Sequence, residues 1–154
     1  MLQQKLTKGK QMKKMLFTFI SVVLFFNLTY SQQKIDETDS LKSDAVIAAI
    51  SWLKLVDEGK YKESWDNSAE LFKNSITKEQ WINTLNGLLP NLGTVVQREF
   101  ISAKFKSALP GAPDGKYVII SYKTEFKNKN NSIETVTPML DKDNIWRVSG
   151  YFIK

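Results

Sequence analysis

Apolar positions change their period twice along this chain. Residues Met15 to Leu28 (MLFTFISVVLFFNL) form one uncharged run. From Leu41 to Glu58 the apolar positions are spaced, with Ala45, Ala48, Ala49, Trp52, Leu55 and Val56 recurring at the interval of an amphipathic helix. Asp39 or Ser40 can cap its start, and Gly59 suits the residue just past its end, where a left-handed backbone is common. A second helix is predicted from Tyr61 to Phe72, with Tyr61, Trp65, Ala69 and Phe72 on one stripe. A third starts at Thr77. In Thr77-Lys78-Glu79-Gln80 the threonine hydroxyl can accept from the backbone of Gln80 while the Gln80 side chain reaches back, forming a capping box. This helix continues through Trp81 and Leu85 to about Gly87, and Leu88–Gly93, with Pro90 and Gly93, breaks the pattern.

Beyond Gly93 the period drops to two. Val96, Arg98, Phe100, Ser102, Lys104 and Lys106 alternate with Val95, Gln97, Glu99, Ile101, Ala103 and Phe105, which predicts one long strand over Thr94–Leu109 with room for a bulge. PGAPDG (Pro110–Gly115) is a turn, and Lys116–Lys127 holds a β-rich core, YVIISYKTEF. Asn128–Asn131 reads as another turn, and so does the glycosylation-like triplet Asn130-Asn131-Ser132. Ile133–Leu140 and Ile145–Ile153 are two further strands, split by DKDN. In the last of them, period two puts Trp146, Val148 and Gly150 on one face and Arg147, Ser149 and Tyr151 on the other. The expected architecture is α+β: three N-terminal helices packed on a four-stranded antiparallel meander.

The uncharged run near the front has a separate explanation. It follows a segment carrying Lys5, Lys8, Lys10, Lys13 and Lys14 without an acidic residue, and precedes the small-x-small site Thr29-Tyr30-Ser31. Basic, apolar and cleavable in that order is the layout of a secretory signal peptide. A membrane span needs about 20 apolar residues, more than this run supplies. Residues 1–31 are therefore expected to be a signal peptide, 32–40 a polar tether and 41–154 a single domain, exported to the periplasm or exterior after cleavage near Ser31. Met12-Lys13-Lys14-Met15 resembles a start in its own right, so residues 1–11 can be an extension of the true leader. With no cysteine anywhere, neither a lipid-bearing cysteine nor a disulfide can form.

Charge and composition then exclude several kinds of chemistry. The formal charge is +6, but five of the 22 basic residues sit in the leader, leaving 17 against 16 acidic residues. The high isoelectric point reports the leader, and nucleic acid is not an expected partner. The chain has no histidine, which removes Ser-His-Asp and Cys-His nucleophiles and histidine-bound zinc. No phosphate-binding loop, dinucleotide fingerprint or calcium-loop pattern is present, so no cofactor or metal is expected, and no residue is assigned a catalytic role.

Ala49-Ile50-Ser51-Trp52-Leu53, Asp57-Glu58-Gly59-Lys60-Tyr61, Ser64-Trp65, Gln80-Trp81, Leu92-Gly93 and Arg98-Glu99 are followed by the run Leu109 to Tyr117 (LPGAPDGKY) and by Trp146 to Phe152 (WRVSGYF). Their order and spacing together resemble the bacterial domain-of-unknown-function family 4019, found on exported proteins. The resemblance implies an exported, compact α+β domain and carries no assigned activity. The element order is also similar to the cone-shaped fold shared by ketosteroid isomerase and nuclear transport factor 2, a likeness that does not transfer function. Trp52, Gly59 and Tyr61 are spaced like one tetratricopeptide unit, but no second copy follows, so they indicate a helical hairpin.

The candidate ligand-binding residues are Tyr61, Trp65, Trp81 and Arg98. For the three aromatics the competing and favoured reading is core, since large rings on a helical stripe usually are buried. Arg98 and Arg147, the only arginines, can grip a ligand carboxylate or phosphate, or pair with a carboxylate such as Glu99, Glu125 or Glu134, and pairing is favoured. Asp57, Asp66, Glu70 and Glu125 are the candidates for a proton-transfer carboxylate of the kind the isomerase-like folds use. The leading expectation is a non-catalytic envelope domain that binds a small molecule, peptide or envelope protein. The alternative is a histidine-free enzyme working with a buried carboxylate.

Overall fold

The structure, a computed structural model, describes residues 39–154. The expected leader and all but the last two residues of the expected tether lie outside the described residues. Helix α1 is described over residues 39–57, so Asp39 and Ser40 are already helical. It is followed by α2 (Tyr61–Asp66), α3 (Glu70–Ser75), α4 (Lys78–Leu92), β1 (Val95–Lys106), β2 (Tyr117–Phe126), β3 (Lys129–Leu140) and β4 (Trp146–Ile153). The sheet order is β1-β2-β3-β4, every pair antiparallel, which is the meander that the short links predict.

The described helices number four where the periodicity predicts three. α1 ends as the glycine suggests: Gly59 has φ +73°, its N–H donates to Val56 O at 3.0 Å, and the N–H of Lys60 donates to Leu55 O at 2.8 Å, a Schellman motif. The segment read as one helix over Tyr61–Phe72 breaks between Asp66 and Glu70. The reason is tertiary. The N–H of Ala69 turns away from its helix and donates to Val148 O on β4, at 2.9 Å. The capping box at Thr77 forms as predicted, with Gln80 N–H to the Thr77 hydroxyl at 3.2 Å and Thr77 N–H to Gln80 Oε1 at 3.0 Å.

α4 runs past its expected end near Gly87 and through Pro90 to Leu92. A proline inside a helix costs about 3 kcal/mol. Continuing the helix buries Leu92 and packs Leu89 against the core. Each such side chain contributes about 1.5–3 kcal/mol when fully buried, enough to offset the proline. The helix stops at Gly93, whose φ is +78° and whose absent Cβ would lie 2.9 Å from Lys127 Cβ, so backbone and space both require glycine.

The core joins Ala45, Ala49, Trp52, Leu53 and Val56 of α1 to Phe72 and the α4 residues Trp81 and Leu85. Across from them the sheet contributes Val118, Ile120, Val136 and Val148. Trp52, Phe72, Trp81 and Tyr151 form its aromatic centre, with Trp81–Phe72 centroids 5.0 Å apart and Trp52–Tyr151 5.3 Å apart, both edge-to-face. The indole N–H of Trp52 donates to Ser64 O (2.8 Å) and Ser68 Oγ (3.0 Å), and that of Trp81 to Ser64 Oγ (2.9 Å). Two buried serines thus supply the polar partners the rings need.

Two strand assignments, in β3 and β4, need correction, and the bulge that the first strand has room for forms. β3 begins at Lys129, so the turn after β2 is shorter than Asn128–Asn131, and Asn130, Asn131 and Ser132 belong to a strand. In β1 the pairing shifts between Phe100 and Ser102: Phe100 sits opposite Tyr122, Ala103 opposite Ile120, and Ile101 is the extra residue. Arg98 and Phe100 therefore share the helix-facing side with Ala103 and Phe105, which strict alternation places opposite them. In β4, Val148 pairs with Pro138 and Gly150 with Thr137, leaving Ser149 as the extra residue. Trp146 and Val148 face the core as expected, but the bulge brings Tyr151 round to the same side. No described helix is long and apolar enough to cross a membrane.

Candidate functional site

The register shifts gather a polar cluster inside an otherwise apolar layer. Glu134 of β3 pairs with Tyr122 of β2 and so points to the helices. Its side chain is 0 % exposed, and it is the only carboxylate buried among the described residues. Oε2 accepts from Arg98 Nε at 2.5 Å and from the Thr124 hydroxyl at 2.9 Å. Oε1 accepts from the Tyr151 hydroxyl at 2.5 Å and from Arg98 Nη2 at 3.2 Å. A carboxylate offers about four lone-pair sites, and these contacts occupy that number.

Arg98 bridges two carboxylates. Its other face meets Asp57 at the end of α1, with Nη1 to Oδ2 at 2.8 Å and Nη2 to Oδ1 at 2.9 Å, a bidentate fork. Burial disfavours the guanidinium charge, but the hydrogen bonds to Asp57 and Glu134 outweigh it and hold the group above its ordinary range. Tyr151 is also held above the ordinary phenol range, chiefly by burial and then by the neighbouring Glu134 charge, so it remains a neutral donor. Tyr122 is pushed up by burial, and its hydroxyl, although buried, has no hydrogen-bond partner among the described residues.

Asp57 and Tyr151 also line a pocket of about 240 Å³. Its walls include Val56 from the end of α1, Tyr61 from the start of α2, Leu89 and Pro90 from the last turn of α4, and Phe126 from β2. Asp57 is the only charged residue in the lining, and its side chain is 33 % exposed.

The four candidate binding residues separate in space. Tyr61 lines this pocket, and Arg98 stands behind it, holding Asp57. Trp81 lies in the aromatic core, bonded to Ser64. Trp65 is elsewhere: its indole N–H donates to Ile76 O at 2.9 Å, and the Lys73 and Lys78 ammonium groups lie 5.7 and 4.9 Å from its ring centre. Of the carboxylates considered for proton transfer, Asp57 is at the site. Asp66 pairs with Lys78 and Glu70 with Lys73 on the surface, and Glu125 faces Gln97 across β1 and β2. Arg147 pairs with Asp143 and Asp141, not with the glutamates considered for it. The Asp143 carboxyl is held down at about 2 by the Arg147 hydrogen bond.

Glu134 is one of the three partners considered for Arg98, and the structure selects it; Tyr151 and Thr124 are the site residues that sequence reasoning did not assign. Pro138 carries a signal for one of them. A proline in an inner strand has no N–H for the ladder and marks a bulge, and that bulge is what turns Tyr151 inward.

Fold and site together define a small α+β domain in which four helices accompany an antiparallel meander and an arginine-centred ion cluster is enclosed beneath a pocket. The particular family is shown by comparison. Residues 48–151 match the family described as "Protein of unknown function (DUF4019)", and the chain belongs to it. No curated protein and no solved structure matches the chain.

Proposed function

We propose that this chain is an exported, non-catalytic binding domain, and that its binding site is the pocket beside Asp57. The observation that carries the reading is the saturation of Glu134. A general base needs a free lone pair within reach of the proton it removes, yet both oxygens of Glu134 are already taken by Arg98, Tyr151 and Thr124. The cluster is built to fix geometry: Glu134 orients Arg98, and Arg98 orients Asp57 at the pocket wall. This disfavours an enzyme working with Glu134, the carboxylate buried among the described residues. Bulged strands bend and twist, which supports reading the sheet as the wall of a cone open at this pocket. Export is proposed from the leader-like residues 1–31.

The test is a thermal-shift screen of small solutes on the wild-type protein and on Leu89→Trp, which places an indole into the pocket. At least one class of solute should raise the wild-type midpoint and leave the variant unmoved. The reading fails if no solute separates the two proteins. It fails equally if a solute is recovered chemically altered and Glu134→Gln abolishes the change.

A further inference from the structure

The polarity of the pocket says what kind of molecule it takes. Asp57 and Glu134 carry two negative charges, and Arg98, between them, carries one positive charge. The cluster therefore presents a net negative charge, and the member that reaches the pocket is Asp57. Each Asp57 oxygen gives one lone pair to Arg98 and keeps another, on a side chain that is one-third exposed. Glu58, the next residue, is occupied by Lys60 at 2.8 Å and Lys54 at 3.8 Å.

The backbone adds to the same field. Val56 and Asp57 end α1, Leu89 and Pro90 lie in the last turn of α4, and all four line the pocket. Two helix C-termini, each carrying the negative end of its dipole, thus converge on one space. The last turn of α4 has no basic side chain to neutralise its end. The remaining lining includes the aromatic residues Tyr61, Phe126 and Tyr151. A lining of aromatic and aliphatic residues with one carboxylate suits a cation with an apolar coat, which gains from apolar contact as well as from charge. They do not suit a bare metal ion, and no group of three metal-ligating side chains occurs among the described residues.

We propose that the Asp57 pocket binds a small organic cation, an ammonium group carrying short alkyl substituents. The proposal rests on the pocket being the binding site and names the class of ligand it takes. Choline chloride is the probe, and 3,3-dimethylbutan-1-ol, its uncharged isostere, is the control. Both are titrated into the purified protein while the methyl resonances of Val56, Leu89 and Val95 are followed by NMR.

Choline should shift these resonances and the neutral alcohol should not. Asp57→Asn should weaken choline binding by about tenfold or more, since it removes the charge and keeps the shape. Thr94→Lys, an exposed substitution in the pocket lining that leaves the Asp57–Arg98 fork intact, should weaken it as well, which covers the case that Asp57→Asn does not fold. Equal shifts from choline and the neutral alcohol would overturn the cation assignment while leaving a binding pocket in place. Saturable binding of acetate, with Asp57 released from Arg98, would overturn it in favour of an anion. If none of the three probes moves these resonances, the cation assignment falls; if the solute screen is also blank, the pocket falls with it.

Discussion

Removing Arg98 should be among the most damaging single changes in this domain. In Arg98→Ala, Glu134 stays fully enclosed and loses the contacts from Nε at 2.5 Å and Nη2 at 3.2 Å. Its remaining partners, the hydroxyls of Tyr151 and Thr124, carry no charge. Breaking a buried ion pair from one side typically costs about 3–5 kcal/mol, because the abandoned charge has neither water nor a counter-ion. A domain of this kind is held by roughly 5–15 kcal/mol, so the loss is a large share of the total. Urea unfolding followed by tryptophan fluorescence reads it, with Trp52 and Trp81 in the buried centre as reporters. With a denaturant slope of about 1–3 kcal/mol per molar, the midpoint should fall by on the order of 2 M. Arg147 provides the comparison. It pairs with Asp143 at 2.7 Å, but that carboxylate is half exposed, so Arg147→Ala should move the midpoint far less. The double variant Arg98→Ala/Glu134→Gln should recover part of the loss, since the amide brings no charge to bury. Equal midpoint shifts from the two arginine variants, or a double variant as unstable as the summed singles, would refute the account of Glu134 as a charge that Arg98 must neutralise.

Ser64→Ala removes the acceptor of the Trp81 indole and should lower stability by about 1–3 kcal/mol, the cost of an unsatisfied buried donor; a melt unchanged from wild type would show that another acceptor takes over. In an NMR titration Asp143 should protonate near pH 2 and, in Arg147→Ala, nearer its ordinary 3.8. The folded value lies below the unfolded one, so the contribution of this pair is present above about pH 3.8 and lost as the pH falls through 2; an unmoved titration in the variant would remove Arg147 as the cause. Intact-mass measurement of protein recovered from the producing cell should place the N-terminus within a few residues of Gln32, and a protein keeping its leader in the cytoplasm would contradict export.

The sequence by itself determined the elements that depend on near neighbours. Helix α1, its end at Gly59, the capping box at Thr77, and four antiparallel strands in chain order each follow from periods of about four or two, or from a turn residue with one low-energy conformation. What it left open was decided by contacts between distant residues. The break after Asp66 exists because Ala69 bonds to Val148, and α4 passes Pro90 because Leu89 and Leu92 have a core to enter. The site was the least legible part. In β3, residue type favours burying Ile133 and exposing Glu134, but period two puts Glu134 on the face of the buried Val136, and the structure follows the period: Ile133 is exposed and Glu134 enclosed. A carboxylate can take an inward position only when its partners arrive with it, and they come from three other strands: Arg98 from β1, Thr124 from β2 and Tyr151 from β4. One-residue bulges in β1 and β4 set the faces from which two of them point. Local periodicity does not register such a shift, because a single extra residue inverts every face that follows it.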